Sequence, residues 1–243
     1  MRSDPRSPRL PRHIAVIMDG NGRWAERRGM HRIQGHQAGI KATRRIVRVC
    51  RKMGIKYLTL FALSTENLKR PKTELNALFN LFRHFIKKDI TEMVENRVRL
   101  RVIGRIELLP QDIRKMIAES LERTRNCRAM NLIIAIAYGG RDEIIRAAQK
   151  FARSGKRNLN ERDFAQMLDT AGIPDPDILI RTGDEIRISN FLIWQIAYAE
   201  LYFTKTLWPD FSRRHLLKAV KSFQARERRF GLTSEQLGPK KSS

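Results

Sequence analysis

The sequence predicts an α/β fold: a single domain in which a six-stranded, mostly parallel sheet is flanked by helices. Short runs rich in β-branched and other apolar residues recur along the chain, and segments with apolar residues every three or four positions lie between them. Strands that alternate with helices form parallel sheets through right-handed crossovers. One run, residues 132–137, is apolar throughout, which is typical of a strand covered on both faces.

The candidate elements follow one another in a regular order. Six candidate strands cover residues 13–18, 56–63, 99–103, 131–138, 177–180 and 201–204. A helix is predicted over residues 73–96, where the apolar face is widest, and shorter helical segments lie at residues 42–53, 113–121 and 144–151. No linker interrupts residues 13–230, so we expect one domain there, with a flexible basic arm over residues 1–12 and a flexible tail over residues 231–243.

The chain of 243 residues carries 49 Lys and Arg against 25 Asp and Glu, a formal charge of +24. Such a surplus favours polyanions: nucleic acid, an anionic lipid surface or phosphorylated small molecules. Aromatic residues make up only 7% of the chain, and neither an RNA-binding aromatic motif nor a Cys/His zinc framework is present, so no specific nucleic-acid partner is expected. A generally basic surface accounts for most of these residues equally well.

Several classes of protein are excluded by what the sequence lacks. No apolar run approaches the roughly 18 residues of a membrane-spanning helix, and no apolar signal segment follows residues 1–12, so a cytoplasmic location is expected. Cys50 and Cys127 lack metal-ligand spacing and are expected to be reduced and buried. The motifs of P-loop hydrolases, Rossmann dehydrogenases, zinc proteases and α/β-hydrolases are absent.

The loop after the first candidate strand has the composition of a phosphate site. It reads Asp-Gly-Asn-Gly-Arg-Trp over residues 19–24. Ligands of open α/β sheets bind beyond the carboxyl ends of the strands, and glycines let backbone amides approach a phosphate. Arg23 can pair with phosphate oxygens, and Asp19 can hold a divalent cation that bridges them. Taken alone, the same residues also form an ordinary turn.

Three other strand ends carry similar residues. Ser64 to Asn67 follow the second strand, Gly139 to Arg141 the fourth, and Arg181 to Asn190 the fifth. Ser64 and Asn67 are also common as helix caps, and the lone His36 is also compatible with a structural role. Because four of five strand ends carry Gly, Arg or Ser, the sequence predicts a diphosphate site at this edge of the sheet.

Six motifs in order resemble the cis-prenyltransferase (isoprenyl transferase) family over residues 13–231. They are His-Ile-Ala-Val-Ile-Met-Asp-Gly-Asn-Gly-Arg-Trp (13–24), Gly-His-x-x-Gly (35–39), Ser-Thr-Glu-Asn (64–67), Tyr-Gly-Gly-Arg (138–141), Arg-Thr-Gly-x-x-x-Arg-Ile-Ser-Asn-Phe-Leu (181–192) and Trp-Gln-Ile-Ala-Tyr-Ala-Glu-Leu-Tyr-Phe (194–203). The resemblance implies a homodimeric, Mg²⁺-dependent transferase of EC class 2.5.1. Such an enzyme condenses isopentenyl diphosphate units onto an allylic, farnesyl-like diphosphate with cis geometry, which implies a long-chain polyprenyl diphosphate, undecaprenyl diphosphate above all.

The resemblance also implies roles for individual residues. Asp19 and Asn67 are the catalytic candidates, and Asp19 and Glu200 are the metal ligands. The substrate-binding candidates are Gly20, Asn21, Gly22, Arg23, Trp24, Arg32, His36, Ser64, Glu66, Arg70, Arg181, Arg187 and Ser189. Among these, the first loop with Arg32 and His36 would hold the allylic diphosphate, and Arg181, Arg187 and Ser189 that of isopentenyl diphosphate. The group that removes the proton is left open, with the diphosphate itself as one candidate.

The chain departs from the family pattern at two positions. Leu68 stands where Trp is usual, and Asp184 replaces a glycine beside a proposed diphosphate site. Glu200 precedes the last candidate strand, so its role rests on the resemblance alone, in its own chain or in a partner. Ala62 is expected to share a strand face with Ser64 and to line a product tunnel.

A second function stays open on the same fold: an inactive basic protein that docks on a membrane or on RNA. The arm with its four arginines could hold an active enzyme at the anionic inner leaflet as a peripheral protein, or be a solvated tail.

Overall fold

Six strands form one sheet in which every neighbouring pair is parallel. The computed structural model describes residues 10–155 and 157–226. The strands lie in the order β3-β4-β2-β1-β5-β6. They are β1 (His13–Ile17), β2 (Tyr57–Ser64), β3 (Val98–Ile103), β4 (Met130–Tyr138), β5 (Ile178–Arg181) and β6 (Glu200–Phe203). All six predicted strands are confirmed within two residues at each end, and the sheet is wholly rather than mostly parallel.

Seven α-helices lie between and after the strands within the described residues. They are α1 (Asn21–Glu26), α2 (Arg32–Met53), α3 (Lys72–Glu95), α4 (Gln111–Thr124), α5 (Gly140–Arg153), α6 (Glu161–Ala165) and α7 (Arg213–Gln224). The helix predicted over residues 73–96 is α3 shifted by one residue. None of the helices in these two ranges is long and apolar enough to cross a bilayer.

Two apolar layers cover the two faces of the sheet. The larger core lies between one face and helices α2, α3, α4 and α7, with Ile46, Ile86 and Ile117 among its buried residues. The opposite face is covered by the segment that contains Phe191 and Leu192, which packs on alternate residues of β1, β4 and β5. Burial on both faces explains why residues 132–137 of β4 are all apolar. The free cysteines are buried, as predicted.

The last two residues of the arm predicted over residues 1–12 pack against the domain. Pro11 is buried, and the backbone N–H of Arg12 donates to Asp177 Oδ2 at 2.7 Å. The carbonyl oxygen of Arg12 accepts the N–H groups of Lys56 and Tyr57. Residues 11 and 12 therefore belong to the domain, whereas residues 1–9 and the predicted tail 231–243 lie outside the described residues.

Candidate functional site

A cleft of about 380 Å³ opens at the carboxyl ends of β1, β2 and β5, where the sequence predicted a ligand site. It is bounded by the loops that follow these strands and by the first turns of α1 and α2. The predicted residues that line it are Asp19, Gly20, Asn21, Gly22, Arg32, His36, Ser64, Asn67, Arg70, Arg181, Arg187 and Ser189. The structure thus brings most of the candidate residues together, although they come from distant parts of the chain.

The first loop is shaped to expose backbone amides. Gly20 has a φ of 99°, a left-handed conformation that glycine adopts without strain, and α1 begins at the next residue. The first N–H to bond within this helix is that of Trp24, to the carbonyl of Gly20. The amides before it have no carbonyl partner in the helix, as at any helix start. Asn21 and Gly22 line the cleft, so this end of α1 suits an anion.

Small residues on α2 hold this loop in place. A Cβ atom on Gly35 would lie 1.9 Å from the carbonyl oxygen of Asn21, and one on Gly39 would lie 2.3 Å from Asn21 Oδ1. A larger residue at either position would push α1 away from α2. The Gly-His-x-x-Gly motif therefore serves the site through close packing as well as through the His36 side chain.

Asp19 is held by a ring of donors. Its Oδ2 accepts from Arg181 Nη2 at 2.8 Å and its Oδ1 from the Gly20 N–H at 2.6 Å, while Arg23 Nη2 lies 3.4 Å from Oδ1. The Thr182 hydroxyl accepts the Asp19 N–H and donates to its carbonyl, which fixes the backbone. The side chain is 31% exposed. Asp19 is thus firmly oriented and still open to the cleft.

Arg181 links Asp19 to the loop after β5. Its side chain is only 4% exposed, and Nη1 donates to Ser189 Oγ at 2.7 Å and to the carbonyl oxygen of Arg187. The buried Nε has no partner among the described residues. Arg181 was predicted to grip a diphosphate, but its main contacts are within the protein. It joins the two loops predicted to hold the two substrates.

Glu185 is a site residue that the sequence reasoning missed. It pairs with Arg187 through Oε2 and lies 3.6 Å from Arg23 Nη1 through Oε1. It therefore bridges Arg23, predicted to bind the allylic diphosphate, and Arg187, predicted to bind the diphosphate of isopentenyl diphosphate. The available signal was its position two residues before Arg187. Only the arginines and the serine of this loop were considered as site residues. The Arg187 side chain is 62% exposed and free to exchange this partner for a ligand.

Carboxylates balance most of the positive charge around the cleft. Arg32 pairs with Glu26 at 2.6 Å, and Arg70 pairs with Glu74 at 2.8 Å. The arginines of the site are Arg23, Arg32, Arg70, Arg181 and Arg187, and their carboxylate partners are Asp19, Glu26, Glu74 and Glu185. Five cations less four anions leave a charge of only about +1. Most of the surplus of +24 lies elsewhere on the surface.

His36 is neutral near pH 7. Burial, together with the nearby guanidinium groups of Arg70 and Arg32, lowers its pKa from 6.5 to about 4, against the opposing effect of Glu74. A neutral imidazole carries one N–H donor and one acceptor. His36 therefore enters the cleft as a polar contact rather than as a further cation.

The second strand ends in a bulge that shapes the cleft wall. Strand pairing with β4 shifts between Phe61 and Leu63 and again before Ser64, so Ala62 has no partner. The expectation that Ala62 and Ser64 share a face by strict alternation is wrong. Both nevertheless line the cleft, together with Phe61 and Leu63. Asn67 lines the cleft as well.

Ser64 and Asn67 also cap each other locally. The Asn67 N–H donates to Ser64 Oγ at 3.1 Å, and the Ser64 N–H donates to Asn67 Oδ1 at 3.3 Å. The structural role that the sequence left open is therefore present at this turn. It fixes both side chains at the edge of the cleft, so the two interpretations are compatible.

Three predicted substrate contacts do not line the cleft: Arg23, whose ion pairs are described above, Trp24 and Glu66. The indole N–H of Trp24 donates to Asp210 Oδ1 at 2.7 Å, and Arg28 stacks on its ring at 4.1 Å. Glu66 Oε1 accepts from Asn190 Nδ2 at 2.8 Å. The Trp24 and Glu66 side chains brace the loops on either side of the cleft.

Glu200 lies at the amino end of the parallel strands, whereas Asp19 lies beyond their carboxyl ends. It pairs in register with Ile178, which pairs with Ile14, five residues before Asp19. Five residues of strand span roughly 16 Å. Glu200 forms an ion pair with Arg226. Glu200 and Asp19 of one chain therefore do not share a metal, and this part of the prediction is corrected; only the partner-chain alternative stays open.

The two departures from the family pattern have structural explanations. Asp184 is exposed and has a φ of 64°, so it occupies a left-handed position that suits the usual glycine. Its N–H donates to the Thr204 carbonyl at 3.0 Å, which holds the turn. Leu68 packs against the larger core.

The cleft offers few protein ligands to a cation, which suits a hard cation whose remaining coordination positions are filled by the substrate and water. Asp19 is the only carboxylate among the described residues that line the cleft, and no group of three or more potential metal-ligating side chains occurs in the described ranges. Mg²⁺ is commonly held by one or two carboxylates, with the remaining positions taken by substrate phosphates and water. One oriented carboxylate beside a diphosphate site meets that requirement.

Comparisons with known proteins agree with the sequence motifs. Residues 17–231 match the Prenyltransf family model, described as "Putative undecaprenyl diphosphate synthase". An isoprenyl transferase of Chlorobaculum tepidum is 50% identical over 94% of this chain and 88% of its own length, and one of Neisseria meningitidis serogroup A is 50% identical over 94% and 92%.

Two solved structures share the fold over nearly their whole length. The lavandulyl diphosphate synthase of Lavandula x intermedia, in complex with dimethylallyl diphosphate, has a TM-score of 0.89 at 37% identity and covers 91% of this chain and 98% of that one. A probable undecaprenyl diphosphate synthase of Campylobacter jejuni has a TM-score of 0.79 at 39% identity, with 92% and 99% covered.

Proposed function

Since the chain belongs to the isoprenyl transferase (cis-prenyltransferase) family, we propose that it adds several isopentenyl diphosphate units to an allylic diphosphate at the cleft beside Asp19. The contact of Asp19 with Arg181, and of Arg181 with Ser189, carries this proposal. Through these two contacts, the loop expected to hold the allylic diphosphate and the loop expected to hold isopentenyl diphosphate are connected at the Asp19 carboxylate. The dimethylallyl diphosphate bound to the Lavandula relative supports an allylic substrate.

The residues of the cleft suit the departure of diphosphate from an allylic carbon. Negative charge develops on the leaving group, and donors aimed at it stabilise the transition state more than the ground state. The Gly20–Arg23 loop, with Arg32 and His36, would hold the allylic diphosphate. Arg187 and Ser189 would hold that of isopentenyl diphosphate, and Arg181 positions both loops. No covalent nucleophile is required.

Asp19 would hold Mg²⁺ against the diphosphate oxygens. When bound, the ion supplies positive charge where the leaving group becomes negative. The chain contributes the orientation: Arg181 and the Gly20 N–H fix the carboxylate, and Thr182 fixes its backbone. Asn67, held by its turn, would orient the reacting end of the substrate.

The departing diphosphate is the best candidate to accept the proton lost from isopentenyl diphosphate. Asp19 is the only described carboxylate that lines the cleft, and it is already engaged by two arginines. His36, with a pKa of about 4, is a weak base in the free protein. The sequence left this step open, and the cleft offers no stronger base among the described residues.

A row of cavities along α3 supports a long product. Leu78 lines the cleft, Phe82 one turn later lines a small apolar cavity of about 10 Å³, and Phe85 and Met93 line both that cavity and a third of about 30 Å³. An apolar chain that grows away from the diphosphate would follow this row between α3 and the sheet. Since one water molecule needs roughly 10–15 Å³ of such cavity volume, these two cavities hold only one or two waters each, and α3 must move outward to admit several isoprene units. We propose undecaprenyl diphosphate as the product, from a farnesyl-like starter.

A short product is the second candidate, since the Lavandula relative is a lavandulyl diphosphate synthase. One assay separates the two. The protein is incubated with labelled isopentenyl diphosphate, Mg²⁺ and geranyl, farnesyl or geranylgeranyl diphosphate in turn, and the dephosphorylated products are sized. A ladder that ends at a long chain, most efficient with farnesyl diphosphate, supports the proposal. A single addition indicates the short product, and no condensation with any starter indicates the inactive binding protein.

We further propose that the chain is a homodimer and a peripheral membrane protein. The family resemblance supports the dimer, and the arginines of residues 1–12 support contact with anionic lipid, at about 1 kcal/mol for each. Co-sedimentation with anionic vesicles at low salt tests the arm. If deletion of residues 2–12 leaves binding unchanged, the arm is not an anchor.

A further inference from the structure

A group of exposed cations that form no ion pair among the described residues lies at the amino end of the sheet, opposite the cleft. Arg12, Lys56 and Arg97 directly precede β1, β2 and β3, and Arg128 precedes β4 by two residues. We call these four exposed residues the basic rim. Backbone hydrogen bonds place them side by side: the Lys56 N–H donates to the Arg12 carbonyl, the Asn131 N–H to the Lys56 carbonyl, and the Ala129 N–H to the Arg97 carbonyl.

The rim differs from the cleft because its side chains form no ion pairs with other described residues, although the Asp177 carboxylate accepts the Arg12 backbone N–H at 2.7 Å. Among the described residues, none of the four side chains forms an ion pair, whereas each arginine of the cleft does. The Arg12 guanidinium lies over the Tyr57 ring at 5.6 Å. Lys52 adds a further exposed cation, and Glu95 is the acidic side chain nearest in sequence to Arg97. Four unpaired cations on one rim form a surface for a polyanion.

Apolar groups lie among these cations. Both α2 and α3 end at this edge of the sheet, and the cavity of about 30 Å³ between them is lined by Met93, Asn96 and Val98. Val94 is 37% exposed and Leu10 is 48% exposed beside the rim. Cations interspersed with aliphatic side chains match a lipid headgroup region. Single-stranded nucleic acid would instead need exposed aromatic side chains to stack on, and Tyr57 is already covered by Arg12.

We propose that the basic rim docks on an anionic lipid surface, with the space between α2 and α3 facing the lipid. This inference rests on the proposed function, because a product that lengthens along α3 from Leu78 toward Asn96 arrives at this edge. Docking here leaves the cleft, at the other end of the strands, open to the water-soluble substrate. The three further arginines at positions 2, 6 and 9 precede the rim in the chain.

The test compares two triple variants of the full chain with the same loss of charge, from +24 to +21. The rim variant is Lys56→Gln, Arg97→Gln, Arg128→Gln. The control is Arg114→Gln, Lys115→Gln, Lys218→Gln, which replaces exposed cations on α4 and α7 that form no ion pair among the described residues. Binding is measured to vesicles of phosphatidylglycerol and phosphatidylcholine in equal parts, and to phosphatidylcholine alone.

We expect the rim variant to bind anionic vesicles about 100-fold more weakly, because each cation contributes roughly fivefold. The control should keep most of its affinity, and neutral vesicles should bind none of the proteins. Equal affinities of the two variants overturn the proposal. So does a wild type that prefers an RNA or DNA oligonucleotide to the vesicles and loses that preference in the rim variant.

Condensation activity in detergent with short substrates separates this inference from the proposed function. The rim lies away from the cleft, so the rim variant should keep the wild-type kcat and Tm. If the wild type makes no product but binds through the rim, the proposed function fails while the docking surface stands. If it makes a long product and the rim variant binds vesicles like the control, only the docking surface fails.

Discussion

The carboxylate of Asp19 has a structural as well as a chemical role. From the sequence alone it was a loop residue expected to hold a divalent cation. In the structure it neutralises the guanidinium of Arg181, which is 4% exposed. A buried charge that loses its partner is costly to the fold. The residue type predicted the chemistry, but only the packing shows the second role.

We therefore expect Asp19→Ala to abolish turnover and also to lower the free energy of unfolding by roughly 2 kcal/mol, since Arg181 loses its partner while Asp19 itself is partly exposed. Asp19→Asn retains an acceptor for Arg181 and should keep more of the stability while remaining inactive. Steady-state kinetics at saturating Mg²⁺ and thermal unfolding check both. Wild-type turnover of Asp19→Asn would remove Asp19 from the mechanism.

Arg187 offers a second test at the level of a single side chain. Arg187→Lys should mainly raise the KM for isopentenyl diphosphate, because a point charge cannot replace a bidentate fork. Glu185→Gln should act in the opposite direction, since it releases Arg187 and Arg23 from a competing carboxylate. The two KM values are measured with the allylic substrate saturating. An unchanged KM in Arg187→Lys would show that the assignment is wrong.

The residue types at strand ends predicted which side chains meet, because parallel strands bring their carboxyl ends to one edge. They did not predict which cations are already paired. Glu26, Glu74 and Glu185 are distant from one another in sequence, and nothing in a one-dimensional pattern marks them as partners of the cleft arginines. The sequence alone therefore does not show that the net charge of the site is only about +1.

At the level of elements, strands and helices were predictable because their apolar patterns repeat. The bulge in β2 was not predictable, because no residue in this strand signals an interruption of the alternation. Ala62 and Ser64 both reach the cleft, but through the bulge rather than through alternation. Ala62 is exposed at the cleft. It therefore lies close to the reacting end of the product rather than at the far end.

Two substitutions along the cavity row separate these positions. Ala62→Leu narrows the cleft and should shift products to fewer added units without abolishing the first condensation. Ser120→Leu fills the second cavity, where the Ser120 side chain is buried, and should also shorten the product but leave the KM of the starter unchanged. Product sizing and starter kinetics check both. Wild-type chain lengths in two well-folded variants would contradict the route along α3.

His13 connects three elements and makes the fold sensitive to acid. It is 2% exposed, its Nδ1–H donates to the Pro174 carbonyl at 2.6 Å, and Nε2 accepts from the Thr59 hydroxyl at 2.7 Å. The tautomer follows because a carbonyl oxygen can only accept. Burial is the main cause that lowers its pKa from 6.5 to about 4, against the opposing effects of Pro174 and Asp177.

Between pH 6.5 and pH 4 the unfolded chain binds a proton at His13 that the folded chain does not bind. Stability should therefore fall as the pH is lowered through this window, by roughly 3 kcal/mol for this residue. Denaturant unfolding of the wild type and of His13→Gln, across this range, checks it. The difference between the two curves isolates His13 from His36, which acts in the same direction. Parallel curves would contradict the assignment.

At the scale of the whole molecule, the surplus charge and the edges of the sheet decide what the chain can contact. The composition predicts the net charge but not its distribution over the surface, because the distribution depends on which cations form ion pairs with carboxylates in the folded chain. The described sheet ends at β6, beyond which no further strand pairs. Leu201 in β6 is 38% exposed, and Ile186 is 80% exposed in the loop after β5. An open strand edge with apolar neighbours favours a second copy of the chain.

We expect the protein to sediment as a dimer, and Leu201→Lys to shift it toward the monomer at low concentration. Leu108→Lys, at an exposed leucine beyond β3 at the other end of the sheet, is the matched control and should remain dimeric. Analytical ultracentrifugation across a concentration series distinguishes the two. Dissociation of both variants alike would place the interface elsewhere.

The proposed dimer also gives Glu200 a testable role. Within one chain it lies roughly 16 Å along the strands from Asp19, so it can serve that carboxylate's site only if a partner presents it. We expect Asp19→Asn and Glu200→Gln each to be inactive alone, and their mixture to recover activity after co-refolding. A mixed dimer with shared sites has one intact site of two, and random assembly makes half of the dimers mixed, so about a quarter of wild-type kcat should return. Recovery cannot occur if each chain supplies both carboxylates to its own site, and an active Glu200→Gln homodimer would remove Glu200 from the reaction altogether.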